Sequence, residues 1–123
     1  MNKDMILVEI EYVIISSFIQ FHKFEDVDNF NATELFKLDP EYFTRNLNRK
    51  LALKINECDN ILDICTLISD IELMLASAKI EVQDEYLKII SQTPLPLSLA
   101  RKYYENVLIK RNKIEKIKRL IQW

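Results

Sequence analysis

The 123 residues contain no glycine, against an average usage of roughly 7% in proteins. A chain without glycine has no Walker loop, no dinucleotide-binding fingerprint and no nucleophile elbow, because each uses backbone that only glycine adopts freely. Tight hairpins built on primed turns are disfavoured for the same reason. Histidine is nearly missing too. His22 is the one side chain whose ordinary pKa lies near neutrality, and its place between Phe21 and Lys23 at the edge of an apolar run suits a boundary residue better than a catalyst. The two cysteines, Cys58 and Cys65, would stand about 10.5 Å apart along a helix, too far to bridge. With a single histidine they do not complete a tetrahedral zinc site. Both read as buried thiols behaving as small hydrophobes, in keeping with a reducing interior.

What is present points to helices. Hydrophobic residues make up 49% and charged residues 29%, with a formal net charge of -2. The length suits one domain, residues 1–123, that buries on the order of two thirds of its unfolded surface without metal or disulfide. Met5 to Phe21 is strongly apolar, but Glu9 and Glu11 interrupt it and no small-residue cleavage site follows. A signal peptide or membrane anchor is therefore not expected, and a cytoplasmic protein is. Val8, Ile10, Tyr12 and Ile14 alternate as in a half-buried strand, yet Leu7, Ile10, Ile14, Phe18 and Phe21 also form one helical stripe, with Glu9, Ser16 and Gln20 elsewhere. Length and the lack of a partner strand favour the helix.

An acidic connection follows at about residues 23–39, with a sequon at Asn31-Ala32-Thr33 that reads as a polar turn and a short helical turn around Thr33 to Lys37. Asp39-Pro40-Glu41 is a helix start signal: a capping side chain, a proline where its missing N–H is harmless, then an acid. Phe43, Leu47, Leu51 and Ile55 then recur every four residues. Ile61, Ile64, Ile68, Ile71, Leu75, Ala78 and Val82 follow 3-4 spacing, which predicts a long central helix covered on more than one side, running on toward Ile90, with Ile68 and Ile71 at its buried middle. Prolines at 94 and 96 end it in a loop over 93–97. Ser98 is placed to cap a last helix whose expected inward stripe is Tyr103, Val107, Ile114, Ile117 and Ile121. The expected architecture is an all-α bundle of four to five helices with antiparallel neighbours.

No catalytic constellation is evident, and the expectation is a non-enzyme with no cofactor. Asp59, Asp63 and Asp70 stack along one helix, where a divalent ion could bridge them only if a neighbouring helix added oxygens. Acids opposite an apolar seam are more simply the wet face. Charge, however, is unevenly spread. Residues 99–123 carry eight Lys or Arg against Glu105 and Glu115, a balance of +6, while residues 1–98 balance at -8. Lys110, Arg111, Lys113, Lys116, Lys118 and Arg119 are the candidate contacts to an acidic protein partner or to nucleic acid. Cations near a helix C-terminus also answer the helix dipole, so a purely structural role stands beside the binding one.

Leu38-Asp39-Pro40-Glu41-Tyr42-Phe43, Lys79-Ile80 at a helix end and Arg101-Lys102-Tyr103-Tyr104-Glu105 together resemble the helical domain of archaeal GINS subunits, the accessory complex of the replicative helicase, over about residues 38–123. Ala76 stands where that family's pattern carries an arginine, and the 123 residues include no counterpart of the family's small β-rich second domain. The resemblance implies a scaffold in DNA replication that pairs with other subunits through helix faces, as a homo- or hetero-oligomer. Two other readings compete with an assembly subunit. One is a nucleic-acid-binding module using the basic last helix. The other is a small viral or immunity-type inhibitor presenting the acids of Glu25 to Asp39 to a host protein.

Overall fold

A computed structural model describes residues 3–20, 36–59 and 61–121. The described chain is helical, with no strand. Its elements are α1 (Lys3–Ile19), a 3₁₀ turn (Pro40–Tyr42), α2 (Asn46–Asn56), α3 (Ile61–Ala76), α4 (Ile80–Ile90), α5 (Leu97–Tyr103), a π-helical segment (Tyr104–Ile109) and α6 (Lys110–Ile121). The last three run on without a break, so the described residues form five rods. His22, the sequon, most of the acidic connection and Trp123 lie outside the described residues.

The all-α bundle is what forms, but its centre is not where the 3-4 spacing placed it. α1 packs against α2, α3, α4, α5 and the π segment. Ile14, Ile15 and Phe18 are fully buried, and so are Glu11, Ser16 and Ser17. A helical stretch buried on nearly every side, as residues 11–20 are, needs partners for its polar groups, and these tie down the chain around the proline loop. Gln20 Nε2 donates to Ile90 O at 3.0 Å and to Ser16 Oγ at 2.6 Å, Ser16 Oγ donates to Gln92 O at 3.3 Å, and Leu95 N–H donates to Ser17 Oγ at 2.9 Å. Ser16 and Gln20, which the sequence sets off the apolar stripe, are thus interior staples, whereas Glu9 is exposed.

The long helix predicted from Ile61 toward Ile90 is two. Lys79 is extended, and Gln83 Nε2 donates to the carbonyls of Leu75 (2.8 Å) and Ala78 (3.2 Å) that the break frees. Ile64, Ile71 and Leu75 are buried, whereas Ile68 is half-buried and Cys65, Asp70 and Leu73 face outward. α3 is a flank, and the thiol of Cys65 is exposed rather than packed.

Asp39-Pro40-Glu41 starts only one turn. The Asp39 carboxylate accepts the Glu41 N–H at 2.9 Å, but Phe43 is extended and α2 begins at Asn46 with no side-chain cap. The stripe of Phe43, Leu47, Leu51 and Ile55 is buried as its spacing predicts. Ser98 does not cap: α5 starts at Leu97, behind Pro96.

Candidate docking groove beside the last helix

The geometry around the basic helix is set by two side chains. Tyr104, not Tyr103, turns inward. Its ring lies 5.7 Å from Phe36, 6.0 Å from Tyr42 and 6.4 Å from Phe43, and its hydroxyl accepts the Asp39 N–H at 2.8 Å. Burial pushes the Tyr104 phenol above its ordinary pKa. With Leu97, Ala100 and Leu108 it makes the buried face of the last rod.

One turn further on, Arg111 reaches the interior. Its Nη1 lies 3.2 Å from Oε2 of Glu11, and its Nη2 donates to the carbonyl of Tyr42. The Glu11 carboxylate is wholly buried and fully used: Oε1 accepts the Thr44 N–H (2.8 Å) and Asn48 Nδ2 (3.3 Å), and Oε2 also accepts the Thr44 hydroxyl (2.7 Å). Lone acids inside an apolar run are rarely buried unpaired, so Glu11 amid Ile10 to Ile15 was the available signal for this pair. Arg111, expected to meet a partner, spends its guanidinium holding α6 to α1 and to the loop before α2.

Of the inward stripe expected from spacing, Val107 alone is half-buried against the core and the rest is turned out. Tyr103 is exposed, and Ile114, Ile117, Leu120 and Ile121 are 52–77% exposed. From Lys113 onward every described side chain is exposed, so α6 stands clear of the core. Where it leaves the bundle, a groove of about 870 Å³ opens between the start of α1, the loop before α2 and the last rod. Val8, Val107 and Ile114 supply its apolar lining, and Arg45, Lys110, Arg111 and Lys118 its cations. Its one acid, Glu115, is 3.6 Å from Lys118. Arg45 and Lys110 have no ion-pair partner among the described residues. Lys116 sits 3.5 Å from Glu41, an exposed pair, while Lys113 and Arg119 project into solvent. Thr44, Arg45 and Val8 are far away in sequence, and nothing in their local pattern marks them as neighbours of α6.

The remaining candidates do not converge. Among the described residues no group of three or more His, Cys, Asp or Glu comes together to hold a metal ion. Asp59 pairs with Lys37 at 3.3 Å, and Asp63 accepts the Asp59 N–H at 2.9 Å. No described helix is long and apolar enough to cross a membrane. No family model matches the chain, and neither does any curated protein or solved structure compared with it.

Proposed function

We propose that the chain is a non-catalytic assembly subunit that engages a protein partner through α6. The observation that supports it is the aliphatic stripe of Ile114, Ile117, Leu120 and Ile121, left exposed on a helix anchored to the core only at its start. Large apolar side chains contiguous on a surface and rimmed by charge are a common mark of protein interfaces. The resemblance to GINS subunits adds a specific partner class: other subunits of that type and the replicative helicase.

The test is affinity purification of the tagged chain from its own cells, with mass spectrometry of what co-elutes and light scattering of the purified protein. A stoichiometric partner recovered by the wild type and lost with Ile117→Glu is expected; recovery of helicase or GINS-type proteins would support the replication reading. A strict monomer that recovers nothing overturns the proposal. A second reading follows from Lys113, Lys116, Lys118 and Arg119, which fan around α6: duplex DNA or RNA would then bind at low salt, with an affinity falling steeply as salt rises.

A further inference from the structure

The stripe and its flanking charges identify the kind of helix that α6 pairs with. Within α6, Lys110, Ile114, Ile117 and Ile121 succeed one another at 4-3-4 spacing, the seam of a two-helix coiled coil, and Lys110 and Ile114 also line the groove. The positions beside that seam, which meet the partner's edges in such a pair, are Lys113 and Leu120 on one side and Arg111 and Lys118 on the other; Arg111 is already held by Glu11, so Lys113 and Lys118 are the cations presented at the edges. No acid occupies a flanking position within α6; Glu115, one position outside the flank, lines the groove and makes an exposed pair with Lys118 at 3.6 Å that a partner carboxylate would replace.

Those flanks choose the partner. A second copy of α6 would set cations against cations in either orientation, and like charges at flanking positions disfavour pairing. Phosphate backbones satisfy lysines but bury no isoleucines, and Tyr103 is the one exposed aromatic along the described rod that could stack on a base. An amphipathic helix with aliphatic seam residues and Glu or Asp on both edges answers every feature. It would bury Ile114, Ile117 and Ile121, meet Lys113 and Lys118 with carboxylates, and bring its end into the groove beside Arg45 and Lys110, the cations without an ion-pair partner among the described residues. We infer that α6 and the adjoining groove form a half coiled coil completed by an acidic heptad helix of a partner protein. This rests on the assembly reading above and specifies the chemistry of the partner.

The probe is a fluorescently labelled three-heptad peptide with leucine at seam positions and glutamate at both flanks, titrated against the full chain by anisotropy. The same peptide with lysine at the flanks is the control. The wild type is expected to bind the acidic peptide at least tenfold more tightly than the basic one. Lys113→Glu/Lys118→Glu is expected to reverse that preference, and an unchanged thermal melt will show that the variant is folded. Binding that ignores the flank charges overturns the inference. So does failure of the acidic peptide, whether nothing else binds or duplex DNA or phosphatidylserine vesicles bind in its place. If the peptide fails while Ile117→Glu still abolishes partner recovery from cells, the assembly role stands and the acidic-helix inference alone falls.

Discussion

Burying Glu11 and Arg111 together makes each dependent on the other. Removing one partner of such a pair leaves an uncompensated charge, which costs about 3–5 kcal/mol, whereas replacing both with apolar groups is often close to neutral. Glu11→Leu should therefore lower the unfolding free energy in urea by about 3–5 kcal/mol, and Glu11→Leu/Arg111→Met should regain more than half of that. Tyr12 makes a pH prediction. Burial first, and then the Glu85 carboxylate that accepts its hydroxyl proton at 3.2 Å, push its pKa from 10.0 up to about 12. The folded state holds this proton more tightly than the unfolded one, so the stabilisation is complete below pH 10 and is lost as pH rises from 10 through 12. At about 1.4 kcal/mol per unit, Tyr12→Phe should flatten that decline by about 2 kcal/mol in denaturation series across the window. The thiols should separate as well. Burial raises the Cys58 pKa, while Cys65 is exposed, so iodoacetamide followed by peptide mass spectrometry should find Cys65 alkylated first.

Helix periodicity located the elements well and their burial unevenly. Where one face alone meets the core, as in α2, spacing by four read out the buried residues directly. From Glu11 to Gln20 the first rod is buried on nearly every side, so Ser16, Ser17 and Gln20 fall inside, where hydrogen bonds to the Ile90–Leu95 connection satisfy them. The break at Ser77 to Lys79 carried no proline or glycine to announce it; what permits it is the amide of Gln83, donated from the next helix. The 3-4 seam of α3 still packs at Ile64, Ile71 and Leu75. Ile71→Ala should cost about 2–5 kcal/mol in chemical denaturation, and Ile68→Ala less, since Ile68 only edges the core. In the last rod, Tyr104 and the aromatic cluster it joins set the rotation, and that choice turns the second apolar stripe to solvent.

Across the whole molecule, stability and interaction are divided between different residues. The core closes on Leu97, Ala100, Tyr104 and Leu108 of the last rod, and α6 contributes no buried residue to it. Ile117→Glu should therefore shift the unfolding free energy by no more than about 0.5 kcal/mol while removing the partner, a separation that denaturation and affinity purification read independently. The sequence by itself determined the helical class, the proline loop, the buried stripe of α2 and the concentration of cations in the last quarter of the chain, because composition and period are local properties of the residues. Only the tertiary structure decided that α1 is the hub, that Arg111 is an anchor and that Ile114, Ile117 and Ile121 face outward. A periodic stripe states that a helix has an apolar face; whether that face meets its own bundle or another protein depends on which neighbours compete for the interior, and here Tyr104 and Glu11 won it.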